Sequence, residues 1–119
     1  MKIAVTSKGK TMDSEVDPRF GRAAYILVVD SETLSFEALD NKENVNAFKG
    51  AGIQAAKMVS EKGADVLLTG YCGPNAFKAM KAAKIGVAND ATGTVREAVA
   101  AYEAGKMTLA EDANVEGQW

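Results

Sequence analysis

The chain has 119 residues, 47% of them hydrophobic and 25% charged, with a net charge of -2, one cysteine and no histidine. That length suits one domain with a real core and leaves no room for two. A lone cysteine excludes an internal disulfide, the missing histidine removes the commonest metal ligand and general base, and weak acidity without a basic tract argues against nucleic-acid binding.

The opening MKIAVTSKGK holds three apolar residues and then turns polar, so it reads as neither signal peptide nor membrane span, with the cytoplasm as expected location. Lys2 to Thr6 reads as a buried strand through Ile3, Ala4 and Val5, and AYILVVD, Ala24 to Asp30, as a second. Leu34, Phe36 and Ala38 alternate with Ser35 and Glu37, which predicts a third strand with the first set facing a core. The tight DSET connection makes strands 2 and 3 an antiparallel hairpin. After the polar NKENVNAFKGAG the period changes: Ile53, Ala56 and Val59, flanked by Ala55 and Met58, recur at helical spacing until Gly63. ADVLLTG then reads as a strand buried on both faces. Pro74 suits a first helical position, and Ala76, Phe77, Met80 and Ala83 mark the apolar stripe of helix 2, with Lys78, Lys81 and Lys84 as its solvated face. KIGVAN is a short strand. Thr94 and Glu97 form a capping box for helix 3, whose apolar face is Val95, Ala98, Val99 and Tyr102. Periodicity fades from Lys106, so the expected division is a domain over 1–105 and a loosely ordered tail over 106–119.

Strands 1, 4 and 5 alternate with helices and should be parallel, so their carboxyl ends share the edge where open α/β sheets bind ligands. Three loops converge there: SKGKTMDSEVDPRFGR, GYCGPNA and NDATGT. Glycines leave backbone N–H groups bare, and the starts of helices 2 and 3 are expected to aim unsatisfied donors and positive dipole ends at the edge. The first loop adds Lys8, Lys10, Arg19 and Arg22, and around Met12 it reads as a candidate lid. Such a site suits an anion rich in acceptor atoms. The usual phosphate cradles are absent, since neither G-x-x-x-x-G-K-[ST] nor G-x-G-x-x-G occurs. Strand 1 ends in TSKGK, without the acidic residues of a receiver domain or the carboxylates of a two-metal nuclease, and Asp30 and Asp65 fall at opposite strand ends. No nucleophile–base pair is visible without histidine, so no enzyme is expected.

The block DPRFGRAAYILVVD, followed in order by KGAG, LLTGYCGPNAF and DATGTVREAV, resembles the dinitrogenase iron-molybdenum cofactor biosynthesis family, which includes NifX, the C-terminal domain of NifB and the orange-protein type. The likeness covers residues 2 to 104. The elements read above run β-β-β-α-β-α-β-α, a single α/β domain with a five-stranded mixed sheet, and the likeness implies that they form a ribonuclease-H-like three-layer fold. It also implies non-catalytic binding, carrying or storage of an anionic metal-sulfur cluster, either an iron-molybdenum cofactor precursor or a molybdenum-copper sulfide, bound non-covalently. Backbone N–H groups, Lys and Arg can hold such sulfide-coated cargo without a protein–metal bond.

The candidate binding residues are Ser7, Lys8, Arg19, Phe20, Gly21, Arg22, Lys49, Gly70, Tyr71, Gly73, Pro74, Asn75, Thr92, Gly93 and Thr94. Lys49 stands where some relatives carry a histidine, and Phe20 reads more as a core plug beneath the loop than as a ligand contact. Cys72 is the candidate metal ligand, as a thiolate near a helix start, with an inert turn residue as the other reading. A protein partner for cluster delivery is expected, but neither nucleic acid nor membrane, and the chain should be a monomer or weak homodimer. The alternative function is a regulatory or scaffold module that docks a partner on the same loop edge or on the exposed edge of strand 3.

Overall fold

A computed structural model describes residues 1–42 and 51–110. Five strands, β1 (Lys2–Ser7), β2 (Tyr25–Asp30), β3 (Phe36–Asp40), β4 (Val66–Leu68) and β5 (Gly86–Ala88), form one sheet in the order β3-β2-β1-β4-β5. The hairpin side is antiparallel, β1 with β2 and β2 with β3, while β1 with β4 and β4 with β5 are parallel. This is the mixed sheet that the alternation of strand and helix patterns predicts.

Because strand side chains alternate, the sheet has two cores. Ala4, Ile26, Val28, Leu39, Leu67 and Val87 pack with α1 (Ala51–Glu61) and α2 (Pro74–Ala82). Ile3, Val5, Leu27, Val29, Val66 and Leu68 pack with α3 (Val95–Glu103) and with Met12 and Val16. Among the described residues two helices therefore cover one face and one helix the other, giving three layers. No helix among the described residues is long and apolar enough to cross a membrane.

That unequal cover explains where hydrophobic pattern and burial part. Leu39, paired with Ile26 on the two-helix face, is the buried residue of β3, whereas Phe36 is exposed and Leu34 falls in the turn with φ 62°. The expected core set of Leu34, Phe36 and Ala38 is thus displaced: β3 is an edge strand, and the single helix α3 does not reach over Phe36. On α1 the buried residues are Ala51, Gly52, Ala55, Ala56 and Val59, while Ile53 is 46% exposed. On α2, Ala76, Phe77 and Met80 are buried and Ala83 is not. Asp30 and Asp65 do lie at opposite ends of their own strands. Because β2 runs antiparallel, both nevertheless sit beside Lys2, the first residue of β1: Asp30 pairs with it in the sheet and Asp65 Oδ2 accepts its N–H at 2.8 Å.

The open edge of β5 is met by the described part of the tail. The Ala110 N–H donates to Val87 O at 2.6 Å, and a Cβ on Gly86 would come within 3.0 Å of the Leu109 methyls. The remainder of the expected tail, and Lys49, lie outside the described residues.

Candidate functional site

Ser7, Leu68 and Ala88 end the three parallel strands on one rim. The loop after β1 turns back and lays Glu15–Phe20 across that rim like a short extra strand. Its backbone is tied at every step: Lys8 N–H donates to Glu15 O (2.9 Å), Asp17 N–H to Thr6 O (2.9 Å), Val16 N–H to Gly93 O (2.9 Å), Tyr71 N–H to Pro18 O (2.6 Å) and Phe20 N–H to Tyr71 O (3.1 Å). Beneath it Thr6 Oγ1 donates to Asp17 O at 2.6 Å and lies 3.0 Å from Thr69 Oγ1, both threonines being fully buried. The three loops do converge, and the first is a wall rather than a lid, with Met12 buried under α3. Gly70 is required where this wall crosses: a Cβ there would lie 2.7 Å from Pro18 backbone atoms.

The wall divides the predicted site residues into two groups. Ser7, Lys8, Thr92, Gly93 and Thr94 gather at the start of α3. Here the expectation of free helix donors fails, because the returning loop supplies the acceptors. The Val95 N–H donates to Ser14 O and the Arg96 N–H to Met12 O, each at 2.9 Å. Thr94 and Glu97 complete the capping box, at 3.0 and 3.1 Å. Ser7 Oγ is turned to Gly9, donating to its carbonyl at 2.7 Å, and Lys8 pairs with Glu15 at 3.6 Å. This end of the rim is chemically closed.

Arg19, Phe20, Gly21, Arg22, Gly70, Tyr71, Gly73, Pro74 and Asn75 gather on the other side, at the start of α2. Arg19 pairs with Tyr71, and the Arg22 N–H closes a tight turn onto Arg19 O at 3.1 Å. Gly21 takes φ 91° in that turn, and a Cβ on it would lie 2.9 Å from the Gly52 backbone, so the turn rests on α1. Phe20 is fully buried and is the plug under the turn. The α2 start has no side-chain cap at Gly73, and Pro74 has no N–H to satisfy. Among the described residues nothing accepts a hydrogen bond from the N–H of Asn75 or Ala76. The N–H of exposed Asn75 and the positive end of the helix dipole thus face out on the side of the rim where Arg19 lies, with exposed Tyr71 and Pro74 around them, while Ala76 is buried.

Cys72 lies in this group but points inward. Its side chain is fully buried in the two-helix core, its thiol 3.8 Å from Gly73 O, and burial pushes its pKa up to about 12. Among the described residues no group of three or more Cys, Asp or Glu is arranged to hold a metal ion.

Asp17 escaped the sequence reading. It is only 5% exposed, and its Oδ1 accepts the Arg19 N–H at 3.1 Å and lies 3.6 Å from Arg19 Nε. It fixes the root of the arginine that borders the α2 start. The signal available was its place two residues before Arg19 in DPRF, the spacing of an Asx-turn.

A family model described as dinitrogenase iron-molybdenum cofactor matches residues 1–105. Among solved structures, the apo form of the orange protein from Desulfovibrio gigas is 47% identical, with a TM-score of 0.94 and 96% of each chain covered. A Thermotoga protein provisionally assigned as NifB is 32% identical, with a TM-score of 0.83 and 98% of each chain covered. A Methanocaldococcus jannaschii protein provisionally assigned as a dinitrogenase shares the fold at 14% identity, with a TM-score of 0.69 over 94% of this chain and 96% of that one. No curated protein matches significantly.

Proposed function

Because this chain belongs to the dinitrogenase iron-molybdenum cofactor family, we propose that it binds and carries an anionic metal-sulfur cluster without transforming it, seating the cluster at the start of α2. The observation that carries this reading is the contrast between two helix starts on one rim. α3 is capped in full by loop carbonyls and its own box, whereas α2 keeps the bare N–H of exposed Asn75 on the side of the rim where Arg19 pairs with Tyr71. Sulfide-coated anions, whether a molybdenum-copper sulfide or an iron-molybdenum precursor, are held there by charge-assisted hydrogen bonds and the helix dipole. Cys72 remains a buried thiol and makes no metal bond, and carboxylates are poor partners for soft metals. Ser7, Lys8, Thr92, Gly93 and Thr94 then serve the wall rather than the cargo. A carrier of this kind works in the cytoplasm and hands its cluster to a protein acceptor.

Reconstitution of the purified protein with molybdate, sulfide and copper or iron tests the proposal, read by visible absorption and elemental analysis. Stoichiometric charge-transfer colour is expected in the wild type and in Cys72→Ser. Arg19→Ala and Arg22→Ala should each lower retention on a desalting column by about tenfold, the scale of a lost charge-assisted contact. Colour lost with Cys72→Ser but kept with both arginine variants would overturn this seat.

A further inference from the structure

The layer built by α1 and α2 has a charge of its own. Residues 51–62 and 74–84 carry Lys57, Lys62, Lys78, Lys81 and Lys84 against Glu61 alone, a net +4 in a chain of net -2, which leaves -6 for the remainder. Lys62 is neutralised by Glu37 at 2.9 Å. Among the described residues no carboxylate comes within 4.0 Å of Lys57, Lys78, Lys81 or Lys84. Between these helices runs a trough of about 390 Å³, lined by Ile53, Ala56, Ser60, Ala79, Ala82 and Ala83, with Lys57 also in its lining. Alanines on both helices leave it shallow and apolar, and Ile53, which helical spacing alone would bury, lies 46% exposed beside it.

We propose that this trough docks an acidic amphipathic helix of a protein partner. Two helices lying side by side offer a third the ridges and groove it needs, and its apolar side chains at i, i+3, i+4 and i+7 replace water over Ile53 and the alanines. Carboxylates flanking those anchors meet Lys57 and Lys78. A second copy of this chain does not fit, because a two-fold contact here sets one +4 face against another. A small molecule finds only Ser60 and Lys57 as polar lining, both on α1, too few to orient it. A nucleic-acid backbone meets an apolar centre where phosphates need cations. The trough occupies the later part of α2, and Asn75 precedes Ala79 by about one turn, roughly 6 Å. A docked partner is therefore placed to take the cargo, a clause that rests on the seat proposed above; the docking itself does not.

The probe is a synthetic helix of about 18 residues, long enough to fold on contact, with leucines at that spacing and glutamates beside them. It is titrated into the isotopically labelled full chain without cluster. Saturable shifts confined to Ile53, Ala56, Ala79, Ala82 and Ala83 are expected. Affinity should fall about tenfold or more for the double variant Lys57→Glu/Lys78→Glu, and likewise when lysines replace the peptide's glutamates. Both lysines are exposed, and if the charge reversal lowers the melting point, Lys57→Gln/Lys78→Gln takes its place. Cluster colour should be unchanged in either variant, which separates this surface from the cargo seat. Absence of saturable shifts, equal binding of the basic peptide, or stronger shifts with duplex DNA or anionic vesicles would refute the proposal.

Discussion

At the scale of single residues, Cys72 shows how position overrides chemistry. A thiol near a helix start would ordinarily be activated, yet burial wins here and its pKa rises from 9.0 to about 12. The unfolded chain loses this proton near pH 9 while the folded chain holds it to about pH 12. Stability from this group is therefore complete below pH 9 and declines as the pH climbs through that window. Melting curves between pH 8 and pH 11 should show a shallower alkaline decline in Cys72→Ala than in the wild type; parallel curves would mean that the thiol is not buried as described. Glycines give a second residue-scale test. Gly21→Ala forces a Cβ to 2.9 Å from the Gly52 backbone at φ 91°, whereas Gly63→Ala, at φ 75°, meets nothing within 4 Å. Both pay the left-handed strain, but Gly21→Ala adds overpacking and should cost roughly 1–3 kcal/mol more in urea unfolding.

At the scale of elements, the starts of α2 and α3 look alike in sequence, each following a glycine-bearing turn, and they differ through contacts made from far along the chain. Thr94 and Glu97 announced the capping box, but nothing in the side chains of Met12 or Ser14 shows that their carbonyls close the rest of α3. Backbone acceptors leave no trace in residue identity, so the sequence overstated the donors on this rim. Thr94→Ala should accordingly cost about 1 kcal/mol of stability while leaving cluster retention unchanged. A protein that keeps its melting point but loses colour would instead place cargo on α3. The same limit applies to β3 and α1. Hydrophobic period gave the existence and type of each element, yet Phe36 and Ile53 stay exposed because burial depends on which layer lies opposite, and only tertiary assembly decides that.

At the scale of the whole molecule, the succession of elements, the parallel run of strands 1, 4 and 5 and the meeting of three loops were readable, since alternating strand and helix patterns leave few ways to assemble a sheet. How the long connection from Lys8 to Ala24 is used was not. A polar loop of that length invites the reading of a lid, but its middle returns as a sixth, irregular strip hydrogen-bonded to β1 and to both other loops. Buried Thr6, Thr69 and Asp17 lock it from below. Under the proposed function this rigidity has a use: an arginine whose root Asp17 fixes before any cargo arrives loses less conformational freedom on binding it. Hydrogen exchange distinguishes wall from lid. The amides of Val16, Asp17, Phe20 and Tyr71 should exchange as slowly as those of the central strands, while Lys10 and Asp13, exposed at the loop tip, exchange fast. Uniformly fast exchange from Lys8 to Phe20 would return the loop to the status of a moving cover, and the cargo seat would then have to be assembled on binding rather than waiting for it.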